Sequence, residues 1–259
     1  MIKAQEKVAK LLRILTKSRK KGVAWLVDPE KLTSSCFDFS DFGWVSESSL
    51  DLILVGGSSL QTDNFDEAVS NLKKLAGKIP VVLFPGSQLQ ISTHADAILF
   101  LSLLSGRNPE FLIGQQVKGA PKVQRSGLEV LPTAYLLVNE GELKSVHQTS
   151  QTLPIPNSEI NEAVATALAG SYMGMKFCFL DAGSGAEKTV SSKVIQAIRS
   201  AISSPLIVGG GIDNLQKLNE VFESGADLIV VGNQIEKDPG FLSEVLKYKD
   251  WYNLSLHVD

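Results

Sequence analysis

Two cysteines in 259 residues, Cys36 and Cys178, are too few and too isolated for a disulfide framework or a zinc site, which suits a reducing compartment. Histidine is almost as scarce. His94, His147 and His257 share no ligand or base spacing with one another. A basic surplus is also missing: 25 Lys and Arg against 28 Asp and Glu give a net charge of -3, so no footprint for nucleic acid exists. No apolar run reaches the roughly 18 residues of a membrane span, and no signal peptide opens the chain. The expectation is a cytoplasmic protein without a membrane segment. No repeat of fixed period and no low-complexity tract appears. Neither a Ser-His-Asp order in an elbow context nor a lysine at an obvious Schiff-base strand position is present. The one basic run, "KSRKK" at Lys17 to Lys21, reads as the solvated end of a first helix. Its sharper reading is a patch that meets anionic lipid heads, a peripheral membrane contact.

What the chain does have is apolar mass, at 44% hydrophobic residues, enough for one sizeable core. Short runs rich in Val, Ile and Leu recur, and most end in Gly, Asp, Asn or Ser. They are "VAWLVDPE" from Val23, "DLILVGGSS" from Asp51, "IPVVLFPGS" from Ile79 and "ADAILFLSLLSG" from Ala95. "TAYLLVNEG" from Thr133, "KFCFLDAGSG" from Lys176, "SPLIVGGGID" from Ser204 and "ADLIVVGN" from Ala226 follow. Runs apolar on both faces are buried parallel strands, because helices cover both sides of such a sheet. Helix-period segments such as "NFDEAVSNLKKLAG", "VSSKVIQAIRSAI" and "NLQKLNEVFESGA" lie between them, the last stopped by Gly225. Eight strands alternating with helices predict an α/β fold, a closed (β/α)8 barrel of TIM type, as one domain over residues 1–259. One link breaks the pattern. "GSQLQISTHA", Gly86 to Ala95, lacks an amphipathic period, so the helix after strand three is expected to be missing or irregular. "QTSQTLPIPNSE" from Gln148 reads as a loop.

Active sites of such barrels lie at the C-terminal ends of the strands. There "AGSG" follows strand six, "GGGI" strand seven and "GN" strand eight. Glycines let a phosphate approach main-chain N–H groups, and a following helix adds its positive end. Each turn alone is ordinary; three in this order point to a phosphate cradle. Across the mouth, Asp28 ends strand one and Ser58 follows strand two. Both have plain readings as a cap and as turn chemistry. The alternative is a Mg²⁺ ion, which needs few protein oxygens because it keeps waters and borrows phosphate oxygens. Asp181, at the end of strand six, either caps the next loop or orients and deprotonates a ligand hydroxyl.

The motifs "VDPEK", "LVGGSS", "LFPG", "SLLSGRNPEFLIG", "LPTAYLLVNEG", "FLDAGSGA", "VGGGI" and "IVVGN", from about Val23 to Asn233, resemble the geranylgeranylglyceryl phosphate synthase family. That family joins a long prenyl diphosphate to sn-glycerol 1-phosphate, and "SGRNP" followed by "PTAYLLV" is similar to its longer-chain branch. The resemblance implies that Phe179, Leu180, Asp181, Ala182, Gly183, Ser184, Gly185, Gly210, Gly211, Gly232 and Asn233 hold the glycerol phosphate. It implies that Asp28 and Ser58 hold Mg²⁺ on the prenyl diphosphate and that Asp181 receives the glycerol hydroxyl. It also implies a homo-oligomer, and a barrel without a regular third helix. Two residues depart from the pattern. Leu26 stands where part of the family has a lysine, so that phosphate contact comes from elsewhere or is lost, and Phe179 stands where tyrosine is more usual, without its hydroxyl.

The implied activity is transfer of a prenyl group, geranylgeranyl in the resemblance, to the 3-hydroxyl of sn-glycerol 1-phosphate with release of diphosphate. The tail needs a long apolar groove, and the gap at the missing helix is the place expected for it. Two other readings stay open on the residues alone. One is a different phosphate-binding barrel enzyme, such as a phosphosugar isomerase or a phosphate-linked synthase of cofactor metabolism. The other is a non-catalytic phosphate-binding barrel.

Overall fold

The computed structural model describes residues 6–32, 39–57, 64–141 and 145–256. Its strands are β1 (Gly22–Val27), β2 (Leu52–Val55), β3 (Val81–Leu83), β4 (Ala97–Leu103), β5 (Glu129–Asn139), β6 (Phe177–Asp181), β7 (Leu206–Gly209) and β8 (Leu228–Val231). All pair in parallel. β4 pairs with β5 and β1 with β8, so the sheet closes into the expected barrel. A two-residue strand, Ile155–Pro156, pairs outside the ring with the end of β5.

The predicted gap is there. Thirteen residues, 84 to 96, connect β3 to β4 with no helix among them. The crossovers after β2, β4, β5, β6 and β7 carry α2 (Phe65–Ala76), α3 (Gln115–Ser126), α4 (Ile160–Tyr172), α5 (Ser192–Ala201) and α6 (Leu215–Glu223), numbered after an N-terminal α1 (Lys7–Ser18). A final helix, α7 (Gly240–Ser255), follows β8. Gly225 does end α6: its φ of +109° follows Ser224 at the C-cap. The segment expected as a loop from Gln148 is partly ordered, because Ser145–Ser150 forms a helical turn before the short strand.

Strand pleating sorts the apolar residues into two cores. Ala24, Leu52, Leu54, Val82, Leu99, Leu131, Leu137, Phe177, Ile207 and Leu228 fill the barrel. Their neighbours in sequence, such as Val23, Ile53, Val81, Leu136 and Val208, pack outward beneath the helices. α1 belongs to the inner core, through Val8, Ala9, Leu12 and Leu15. It stoppers the end from which the strands start. Gly22 makes room for this stopper, since a β-carbon there would lie 2.5 Å from Leu15 Cδ1. Glu129, buried at the start of β5, accepts the helix's first amides, from Val8 N at 2.9 Å and Ala9 N at 2.8 Å. A carboxylate at a helix N-terminus satisfies both hydrogen bonding and the helix dipole.

The basic run corrects its reading in one residue. Lys17, Arg19 and Lys20 are exposed, but Lys21 turns inward and its Nζ donates to the Ala226 carbonyl at 2.8 Å. Burial pushes that amine's pKa down.

Candidate active site

At the opposite end of the barrel the strand termini surround one cavity of about 450 Å³. β6 delivers the acid. Alternation along this strand turns Phe179 and Asp181 toward the barrel axis and Leu180 outward among the helices. Asp181 is buried at the cavity wall. Its Oδ2 accepts from Tyr135 Oη at 2.6 Å, and its Oδ1 accepts from Gly183 N at 2.7 Å. Burial raises its pKa, and the two donors oppose that shift. Tyr135 is itself buried, and burial together with the neighbouring carboxylate drives its pKa well above the usual phenol value. The phenol is therefore the donor of this pair.

The three glycine turns meet around this acid. Gly183, Gly185, Gly210 and Gly211 all have positive φ, from 68° to 97°. A β-carbon on Gly210 would lie 2.8 Å from Asp181 Oδ1 and from the amides of Ala182 and Gly183, so the loops after β6 and β7 are in contact. The loop after β8 joins them, with Ser184 Oγ donating to Asn233 Oδ1 at 3.2 Å. Ser184, Gly185, Gly210, Gly211, Gly232 and Asn233 line the cavity together with Phe179 and Asp181.

Three residues of the implied glycerol phosphate set are not on that wall. Leu180 and Ala182 are buried on the helix side of the barrel. Gly183 is used within the loop, its N–H held by Asp181 while that of Ala182 goes to Gly209 O at 3.0 Å. These positions shape the turn from behind.

Asp28 lines the same cavity from the far side, beside Gly57. One of its oxygens accepts from Glu30 N at 3.0 Å, so the residue does cap the chain after β1. Ser58 lies outside the described residues. Among the described residues no three His, Cys, Asp or Glu side chains group as a metal site. Asp28 on this side of the cavity, without such a group around it among the described residues, fits a hard cation completed by ligand phosphate and water, not one caged by protein.

Beyond the acid the wall turns apolar and follows the helix gap. Pro85, Ile91, Phe111 and Val123 line it, and so do Ile98 and Phe100, which point outward from β4. The cavity thus leaves the barrel where a third helix would stand. Leu26, in place of the lysine, is on the lining as well.

Tyr135 and Phe84 were not singled out by sequence. With Phe179 they form a trio of rings on the cavity wall, centroids 5.2 Å apart for the stacked Phe84–Phe179 pair. Tyr135 meets Phe84 at 5.8 Å and Phe179 at 5.5 Å, edge on to both. The available signal was parity: Tyr135 shares the inward phase of Leu131 and Leu137 and lies beside Phe179 in the sheet register.

A closed parallel barrel that brings an acid and three glycine turns to its C-terminal mouth has the architecture in which barrel enzymes frequently carry a phosphate site. A model of the PcrB family matches residues 16–249, and the chain belongs to that family. It is 46% identical to the geranylgeranylglyceryl phosphate synthase of Chitinophaga pinensis, over 87% of this chain and 88% of the relative. It is 42% identical to the synthase of the same name from Thermococcus sibiricus, over 86% of each. The crystal structure of (S)-3-O-geranylgeranylglyceryl phosphate synthase from Thermoplasma acidophilum in complex with substrate sn-glycerol-1-phosphate superposes with a TM-score of 0.83. That structure is 31% identical and covers 94% of this chain and 97% of its own. A thiamine phosphate pyrophosphorylase from Pyrococcus furiosus, at 14% identity and TM-score 0.52, shares the fold alone. The chain is an enzyme of the prenyltransferase class, like these synthases.

Proposed function

We propose that this enzyme transfers a long prenyl group, geranylgeranyl or a close homologue, from its diphosphate to the 3-hydroxyl of sn-glycerol 1-phosphate. The observation that carries the reading is the shared cavity. It has glycine turns on one side of Asp181, Asp28 across the mouth, and an apolar extension through the helix gap. In this assignment the glycerol phosphate sits on the turns after β6, β7 and β8, with its hydroxyl at Asp181. The allylic C–O bond breaks with its electron pair leaving on diphosphate, and the glycerol oxygen bonds to the allylic carbon. Its proton passes to Asp181, whose raised pKa suits a proton acceptor.

Asp28 would hold magnesium, with Ser58 as the second ligand implied by the resemblance. When bound, the ion would neutralise charge on the departing diphosphate. The chain's own part is positioning. Tyr135 and Gly183 fix the Asp181 carboxylate, and the Phe84, Tyr135 and Phe179 rings wall the cavity beside it. The assignment carries with it a cytoplasmic homo-oligomer, which light scattering and cell fractionation test. Mass analysis of the lipid formed from sn-glycerol 1-phosphate, magnesium and a mixture of prenyl diphosphates tests the activity. An ether-linked prenylglyceryl phosphate supports it. Diphosphate release without that product, or none with magnesium present, removes it.

A further inference from the structure

The extension of the cavity through the helix gap, apolar at Pro85, Ile91, Phe111 and Val123, runs beneath α3. Gln115, Gln116, Gly119 and Val123 of this helix line it, facing Gln88 and Ile91 of the link after β3. Gly119 is the point where the helix and the link come together: a β-carbon there would make ordinary contacts with Ile91 Cδ1 at 3.6 Å and Gln88 Cβ at 3.8 Å. The outer face of the same unit has another character. Leu89 on the link, Ile113 before the helix and Val117 in its first turn are 52%, 59% and 64% exposed. Val117, Pro121 and Arg125 recur every four residues along the exposed side, and Lys118 and Lys122 run beside them. The helix contains no acid at all, in a chain whose net charge is -3. Glu110, just ahead of the helix, pairs with Lys118 at 2.5 Å. Among the described residues Lys122 and Arg125 have no ion-pair partner.

We infer that the α3 face together with the Leu89 link docks the enzyme on the surface of a bilayer containing anionic lipid. The inference rests on the prenyl-transfer reading, since a tail of that length resides in membrane and must cross into the cavity. Exposed apolar side chains beside unpaired cations are what an interfacial helix offers to acyl chains and anionic headgroups. Here they border the wall of the groove that would take the tail. The basic run at Lys17 to Lys21 lies at the other end of the barrel, with α1, and is a separate patch.

Co-sedimentation of the full chain with phosphatidylglycerol-containing vesicles tests the surface, with pure phosphatidylcholine vesicles as the neutral arm. Binding should favour the anionic vesicles and weaken in high salt. The double variant Lys122→Glu, Arg125→Glu should lose about tenfold or more in partition. Val117→Glu should also lose partition, and Lys17→Glu with Lys20→Glu should lose none. Binding needs no turnover, so it is scored apart from the activity. If the wild type makes the ether lipid in detergent but ignores anionic vesicles, the surface assignment fails and the reaction stands. It also fails if the Lys17, Lys20 variant is the one that detaches, or if Val117→Glu splits an oligomer while vesicle binding is kept. If vesicle binding behaves as expected and no ether lipid forms, the reaction fails and the surface stands.

Discussion

Asp181 lies at the end of a buried strand with a phenol on one oxygen and an amide on the other. Because burial raises its pKa, the folded state holds the proton more tightly than the unfolded chain. The ionised carboxylate therefore costs stability at neutral pH, and the cost fades as pH falls through the folded pKa. Asp181→Asn should lose roughly 100-fold or more in turnover while melting no lower than wild type at pH 7. Any advantage in melting temperature should shrink toward acid pH. An inactive variant that also melts lower would make the acid a structural cap. Tyr135→Phe removes a donor that lowers the Asp181 pKa, so the acid limb of the rate profile should move to higher pH. Turnover should fall roughly tenfold or more. An unmoved limb would separate the phenol from the chemistry. Asp181 was legible because a carboxylate ending an apolar strand needs a reason. Tyr135 was not, because a tyrosine inside a strand looks like core until the register sets it beside Phe179. Leu180 and Ala182 show the opposite error: a motif is continuous in sequence, but a strand presents alternate residues to its two sides.

The glycine turns are the elements to which the proposed function assigns the glycerol phosphate. Gly210→Ala would press a methyl against Asp181 Oδ1 at a φ of +83°, costing about 1–3 kcal/mol in backbone strain. The expected result is a melting temperature several degrees lower and a larger rise in KM for glycerol phosphate than for prenyl diphosphate. Equal effects on both would argue against a cradle specific to the phosphate. At the other end, α1 hangs on Glu129. Glu129→Ala leaves two buried helix amides without acceptors and should cost about 2 kcal/mol or more. Limited proteolysis should then cut first at the N-terminus; a resistant N-terminus would show that α1 is held by the packing of Val8, Ala9, Leu12 and Leu15 alone. Spacing revealed the missing helix between β3 and β4, since ten residues without an amphipathic period are barely long enough for a crossover and leave no room for a regular helix. The stopper role of α1 was hidden. An amphipathic helix gives no sign of whether its apolar side meets a barrel end or a barrel flank, and its partner Glu129 is 120 residues away.

For the whole molecule, eight apolar runs in parallel sense were enough to dictate a closed barrel, and closure gathers their C-terminal ends around one cavity. What pattern alone left undecided was the far side of that cavity, where Asp28 stands and the Ser58 segment lies outside the described residues. Removal of magnesium by chelation should abolish turnover without lowering the melting temperature, and Asp28→Ala should do the same. Full activity of that variant would remove the metal assignment. The central claim is that two anion sites face each other across the barrel mouth, with Asp181 between them. Its most direct test is a crystal structure with sn-glycerol 1-phosphate bound. The account predicts the phosphate on the turns at Gly185, Gly211 and Asn233, with a glycerol hydroxyl within hydrogen-bond reach of Asp181. The same molecule seated at Asp28, or with its hydroxyls turned away from Asp181, would contradict it.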